Sequence, residues 1–488
     1  MTENTILQRP CLFKKIALSV IFVTVFFAIC ATESFCADYQ QVSGLIDFRS
    51  TFSDGANDIE SLVILAKKRG FEVLIINDHD RLVMEYGLPP FRKLIKKRVE
   101  LPSINTNGAK AYLDSIKKVQ KMFPDMIIIP GSETAAFYYW TGSYFKKDLT
   151  AHDHEKRILT IGMENPEDYE NLPILHNGSS TQYLKMAIPE ILLFFVVLVL
   201  AVFLIRWRGF YRIAGIIIFI WCVASIANSN MFRSSPFDQY HGDQGMAPYQ
   251  LLTDYVNSKG GLTFWNYPET QSGTRRLGPI MVDTPPYPEV LEESEGYTGF
   301  ASLYGDNITV TEPGNIWDRV LTAYCKGTRS RPAWGISTAD YHREGGGKLG
   351  NFPTVFFVRE KSRKGIMEAL KNGKMYAYQG NYLQGVKLDE FSVSFPDGIM
   401  KGISGDEIAL KSNPRIRIAL SSIEDSKNKV KVRLIRSGKL IQTFEGTLPM
   451  QINYEDRYFQ PGEKIYYRMD MRGRGRLVSN PIFVEFKG

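Results

Sequence analysis

Paired cysteines are missing from this chain. The five present, Cys11, Cys30, Cys36, Cys222 and Cys325, form no C-x-x-C pair, which argues against a thiolate zinc site and against a disulfide framework. A single Cys36–Cys325 bridge stays open. Long basic runs are missing too. The 59 lysines and arginines outnumber 52 acids by only 7, and they are scattered along 488 residues. Without a basic stripe interleaved with aromatics, nucleic acid is not an expected partner. G-x-S-x-G and Walker A patterns are absent, so the two motifs that most directly announce acyl or nucleotide chemistry do not apply. The remaining composition, 44% hydrophobic and 23% charged, suits an ordinary folded protein with room for about two to four domains.

What the chain does have is long apolar runs. Arg9, Lys14 and Lys15 precede IALSVIFVTVFFAICA, 16–31, a charged region followed by an apolar one. Residues 1–37 therefore read as a signal peptide or an uncleaved N-terminal anchor. A lipoprotein site at Cys30 is disfavoured by Ile29, where a small residue is wanted. Further on, IPEILLFFVVLVLAVFLI (188–205) and IAGIIIFIWCVASIA (213–227) flank RWRGFYR. Each is near the lower length limit for a membrane span. Neither has a polar face, which argues against a hairpin buried in a soluble core. Trp207, Phe210 and Tyr211 suit the interface, and Arg206, Arg208 and Arg212 put the connection on the cytoplasmic side. The soluble parts then lie on the extracytoplasmic side, periplasmic or outer, as the N-terminal segment independently predicts. A cell-envelope protein with the membrane as a partner is expected.

The stretch 38–187 alternates strand and helix candidates. GLIDF, FEVLII, DMIIIP and RILTIGM read as strands, with helices after Asp58 and over AKAYLDSIKKVQKMF. The rhythm resumes over 230–385 with LTFWNYPE and WGISTADYH as strands and three helices, one before, one between and one after them. This alternation predicts one α/β domain with a parallel sheet, interrupted by the transmembrane hairpin at 188–229. From 386 to 488 the pattern changes to period two, as in KVKVRLIRSGKLIQTF, which predicts an antiparallel β-sandwich-like domain.

Functional groups gather where strands of such sheets end in loops. Asp47, Arg49 and Asp54 follow the first strand, and Asp78 and His79 follow FEVLII. Glu133 follows DMIIIP, Asn266 and Tyr267 follow LTFW, and Asp340 and His342 follow WGIS. Five acids and two histidines at one set of strand ends repel one another unless a cation is present.

This joint pattern resembles the PHP family, the polymerase and histidinol phosphatase domain. DFRSTFSDG, a helix, FEVLIINDHD, PGSE and STADYH stand in the family's order, over about 38–180 and 230–385. The resemblance implies a distorted (β/α)7 barrel that holds up to three metal ions, zinc, manganese or iron, and hydrolyses phosphate esters. It also implies the site residues. Asp54, His79, Glu133, Asp340 and His342 retain the ligand pattern. Asp47 and Arg49 stand where the family has two histidines. Arg157 and Tyr267 stand where it has two more.

By the same resemblance Asp54, His79 and His342 form one complete metal site. A second is lost with Arg157 and Tyr267. The third keeps the carboxylates Asp47, Glu133 and Asp340 but gains Arg49, which cannot ligate a cation. Asp47, Asp54, Glu133 and Asp340 carry four negative charges against two on Arg49 and Arg157, a difference that one divalent ion balances. The expectation is a degenerate phosphoesterase-like site with one metal, the arginines pairing with orphaned carboxylates. Arg49, Arg157 and Tyr267 would then bind a phosphorylated or anionic small molecule, lipid head group or glycan. Weak metal-dependent hydrolysis is the alternative, and an empty structural site a third reading. His152 and His154 are spaced wrongly for the pattern and read as an exposed polar loop. The aromatic FYYWTGSYF (137–145) reads either as a substrate mouth or as packing, and His176 and His241 as loop residues.

Overall fold

The computed structural model describes residues 39–229, 231–306, 308–345, 349–381, 385–395, 401–424 and 427–488. The signal or anchor at 1–37, and with it the Cys36–Cys325 pairing, lies outside the described residues.

Seven strands build the barrel: β1 (Gln40–Phe48), β2 (Val73–Ile76), β3 (Ile127–Thr134), β4 (Arg157–Ile161), β5 (Leu262–Asn266), β6 (Gly299–Leu303) and β7 (Trp334–Ser337). They are hydrogen-bonded in sequence order. β1 to β3 run parallel, as do β5 to β7, while β4 is antiparallel to both its neighbours. The all-parallel expectation fails at β4 for a simple reason. A parallel return needs a crossover, usually a helix, whereas residues 135–156 between β3 and β4 hold only short strands and a single 3-10 turn. The reversal decides the site: β4 starts, rather than ends, at the barrel mouth.

The barrel closes unevenly. Along most of its length β1 pairs antiparallel with the strand Pro353–Val358, from Gln40↔Val358 to Leu45↔Pro353. Only at the mouth does the chain after β7 take over. The amides of Ala339 and Tyr341 donate to Ile46 O and Asp47 O, each at 3.1 Å, and Arg49 N donates to Tyr341 O at 2.9 Å. The stacked rings of Phe48 and Tyr341, 4.8 Å apart, cover this seam.

Helices α1 (Ile59–Lys68) and α2 (Ala109–Met122) pack their apolar faces on the sheet. Asp58 caps α1 by accepting from Ser61 N at 2.8 Å, as Asp at this position does. Two further helices, α3 (Leu184–Ile205) and α4 (Phe210–Asn228), intervene between β4 and β5. Both are long and apolar enough to cross a membrane, and only 6% and 17% of their most apolar windows are buried. A core helix of a soluble protein is mostly buried, so these two are not acting as one.

β8 (Pro353–Val358) and β9 (Met375–Gln379) carry the barrel sheet outward, and β9 pairs with Arg476–Ser479 of the C-terminal region. There the strands Lys429–Arg436, Lys464–Arg472 and Ile482–Phe486 face a four-stranded sheet that includes Val386–Ser394 and Arg415–Ser422. Val432, Leu434, Tyr467 and Met469 from one sheet share a core with Leu388, Val393, Ile416 and Ile418 from the other. That is the sandwich the alternation predicts. Between barrel and sandwich, Arg468 and Asp318 form a bidentate ion pair with both N–O distances 2.7 Å, exposed by 0% and 2%.

Candidate functional site

All nine residues that the sequence singles out meet at one end of the barrel. β1 to β3, β5 and β7 point their C-terminal ends there, and reversed β4 brings its first residue, Arg157, opposite Asn266. Three of the site residues, Asp47, Tyr267 and Asp340, have φ of 73°, 47° and 47°. For non-glycine residues this left-handed region costs about 1–2 kcal/mol each. At Asp47 it coincides with a register shift between Ile46 and Phe48, a bulge that re-aims side chains at the end of β1.

Asp54, His79 and His342 form the first cluster. Asp54 Oδ2 is 3.5 Å from His79 Nε2 and 3.2 Å from His342 Nε2, and one donor atom from each residue falls within a 4.8 Å group. The other nitrogen of His342 is also engaged: Nδ1 is 2.9 Å from the backbone oxygen of Asp340, an outer contact that turns Nε2 inward as in metal-ligating histidines. His79 Nδ1 lies 3.3 Å from Glu133 Oε2 but is buried with no hydrogen-bond partner among the described residues. Two imidazoles and a carboxylate suit zinc, iron or manganese. The donor set therefore fits a divalent ion, and Asp54, about a third exposed, leaves the side toward solvent open.

Burial opposes charge on Asp54, but hydrogen bonds from His342 and His79 hold its carboxyl well below the usual carboxylate range. Burial lowers His79. At His342 burial is outweighed by the Asp54 hydrogen bond and by Asp340, and its pKa rises to about 9. At neutral pH the cluster is thus one anion, one neutral imidazole and one imidazolium.

Arg49 occupies the centre of a second cluster. It is 1% exposed. Its Nη1 donates to Asp47 Oδ1 at 2.5 Å and to the backbone oxygen of Asn77, and its Nη2 lies 2.8 Å from Glu133 Oε2 and 3.6 Å from Asp340 Oδ1. Burial works against the guanidinium charge, but Asp47, Glu133 and Asp340 together keep it firmly protonated. Asn266 completes the ring: its Nδ2 donates to Asp47 Oδ2 at 3.0 Å and to Glu133 Oε1 at 2.8 Å. The Tyr267 hydroxyl donates to Asp47 Oδ2.

Arg157 is differently placed from its expected pairing. Its ion pair is with Glu155, Nη2 to Oε2 at 2.9 Å, and not with the barrel carboxylates. Its Nη1 is buried with no hydrogen-bond partner among the described residues. Glu155 is not singled out from the sequence; it lies in the turn just before β4, where no strand periodicity points to it. Asp78, noted only as a strand-end acid, is a clamp. It accepts from Ser50 N at 2.7 Å, Ser50 Oγ at 2.6 Å and Ser53 Oγ at 2.6 Å, which holds the loop that delivers Asp54.

The other candidates fall outside the site. His154 is buried against the Tyr138 ring, and His152 stacks on Tyr139 with Nδ1 3.2 Å from Asp283, so these two are packed, not exposed as expected. Within 137–145, Tyr138 and Trp140 form a small core with Leu149 and Ala151, while Tyr144 and Phe145 are exposed.

No family model and no curated protein matches the chain. Among solved structures it is similar to a two-domain protein from Bacteroides vulgatus containing a predicted PHP-like metal-dependent phosphoesterase, at 12% identity over 88% of this chain and 90% of that one, TM-score 0.35. It is also similar to a proposed metal-dependent phosphoesterase from Bifidobacterium adolescentis, at 14% identity over 67% of this chain and 95% of that one, TM-score 0.31. A third is an amidohydrolase from Chromobacterium violaceum with bound sulfate and no metal, at 13% identity over 62% and 88%, TM-score 0.26.

Proposed function

We propose that this chain is a divergent PHP-type protein that binds a phosphorylated or anionic ligand at the barrel mouth, beside a single divalent ion held by Asp54, His79 and His342. The observation that carries this reading is the Arg49 guanidinium, lodged among Asp47, Glu133 and Asp340. It supplies the positive charge these carboxylates need, at the place where a further cation would otherwise sit. A fixed guanidinium and a second cation at the same carboxylates would repel each other in a poorly screened interior.

The ion, when bound, supplies Lewis acidity and a lowered water pKa. The chain's own residues do the rest. Arg157 offers the free Nη1 donor to a ligand oxygen, a charge-assisted bond of the kind that suits phosphate. Arg49, whose Nη donors are taken by protein oxygens, fixes the carboxylates. Tyr267 and Asn266 hold Asp47 and Glu133 in place. The degenerate site lacks the paired cations that clamp attacking and leaving oxygens, so binding is its main role. The half-open Asp54 side favours slow phosphate-ester hydrolysis as the second reading. The apolar helices α3 and α4 are read as membrane spans, with barrel and sandwich on the extracytoplasmic side.

The test is titration of the manganese-loaded full chain in mild detergent with inorganic phosphate. Arg157→Gln is expected to weaken phosphate binding at least tenfold with metal content unchanged. Unaltered phosphate affinity in that variant contradicts the binding role. Hydrolysis of p-nitrophenyl phosphate that disappears in His79→Ala supports the second reading.

A further inference from the structure

A cavity of about 500 Å³ lies where α3 begins and α4 ends, and none of the barrel-mouth residues lines it. Three separate stretches wall it: the loop at 90–93, Glu190 in the second turn of α3, and the chain at 228–244 that leaves α4. Arg92, Lys93 and Arg233 line it together with the acids Glu190 and Asp238. Three cations against two carboxylates leave one positive charge. Lys93 Nζ stands 3.8 Å from Asp238. The Arg92 guanidinium carbon stands 4.2 Å from the centre of the Tyr240 ring, a cation–π contact that uses the guanidinium face rather than its N–H donors. Arg233 Nε is buried and has no hydrogen-bond partner among the described residues.

The loop that forms one wall is tied to the helical hairpin. Phe91 packs on Trp221 of α4 at 5.0 Å, and Lys93 N donates to Asn228 Oδ1 at 2.8 Å. Leu94 and Ile95 come next, 49% and 53% exposed, followed by Lys96 and Lys97. Exposed apolar tips flanked by lysines, next to an apolar helix, are the pattern of a segment lying in a membrane interface.

We propose that this cavity seats the head group of a phospholipid with one net negative charge, of the phosphatidylglycerol type. The phosphodiester lies between Arg92 and Arg233, and its single negative charge answers the surplus positive one. Glycerol hydroxyls donate to Glu190 and Asp238, and the acyl chains run along α3 and α4 beside Leu94 and Ile95. The proposal rests on reading α3 and α4 as membrane spans, and it is independent of the barrel-mouth ligand.

The test uses the full chain in mild detergent, titrated with dihexanoyl phosphatidylglycerol, dihexanoyl phosphatidylcholine and glycerol 1-phosphate, with tryptophan fluorescence as the readout. Phosphatidylglycerol is expected to bind at least tenfold more tightly than the other two. The double variant Arg92→Gln/Arg233→Gln is expected to lose that preference at least tenfold while keeping wild-type metal content. Equal affinity for the choline lipid, or an unchanged preference in the double variant, overturns the site. Equally tight glycerol 1-phosphate makes the source a soluble ester and overturns the lipid assignment. Alkaline carbonate extraction separates the underlying reading: release of the wild-type chain from membranes sinks the spanning assignment and the lipid source together, whereas retention with no lipid preference sinks the head-group site alone.

Discussion

Arg49 Nη2 stands 2.8 Å from Glu133 Oε2, and the same carboxylate oxygen faces His79 Nδ1 at 3.3 Å. One acid therefore joins the guanidinium cluster to the histidine cluster. If Arg49 substitutes for a cation, removing it leaves Asp47, Glu133 and Asp340 uncompensated. Arg49→Met is expected to lower stability in chelator by about 3–5 kcal/mol, the usual effect of breaking a buried ion pair. Manganese is expected to restore much of that loss and to bind with one more equivalent than in the wild type. Thermal melts with and without manganese check this. A variant as stable as the wild type in chelator contradicts the charge-substitution role.

The two histidines differ in what metal binding must displace. His79 is neutral near pH 7 because burial lowers it, whereas His342 stays protonated up to about pH 9 because Asp54 and Asp340 outweigh its burial. Binding near pH 7 is therefore expected to release about one proton, and apparent affinity to rise by up to about tenfold per pH unit until it levels off near pH 9. Calorimetry in buffers of different ionisation enthalpy measures the proton count. A count of two contradicts the assignment of charge states.

The Arg468–Asp318 pair joins sandwich and barrel, and Tyr466 adds a hydrogen bond to Asp318 Oδ1 at 2.8 Å. Asp318→Ala leaves a fully buried guanidinium unpaired and is expected to cost about 3–5 kcal/mol. The double change Asp318→Leu/Arg468→Met is expected to recover most of it, since apolar replacements of a buried pair are often neutral. Denaturant unfolding of the two variants makes the comparison. Equal losses in both would mean the packing, not the charge, carries the contact.

The strand ends were legible because short buried strands followed by polar loops have a clear signature, and Asp54, His79 and His342 sit where those ends predict. The hairpin α3–α4 was legible from its lack of a polar face. Less legible was whatever depends on direction or on distant pairing. Nothing in RILTIG says that β4 runs backwards; that follows from the missing crossover before it. β6 is not legible in the sequence, because GFASL has neither alternation nor a β-branched run. Arg157 was expected to pair with the orphaned acids. Its true partner, Glu155, lies two residues away in the turn that precedes β4, a pairing that strand periodicity does not announce. Asp78 looked like a turn acid, and only the three-dimensional approach of Ser50 and Ser53 reveals it as a clamp.

The measurement that bears most directly on the one-metal site is elemental analysis of the full chain purified in mild detergent and loaded with manganese or zinc, beside His79→Ala. The expected result is about one divalent ion per chain in the wild type and none in the variant. Two or three ions per wild-type chain would contradict the account, because Arg49 would then have to share its carboxylates with a second cation.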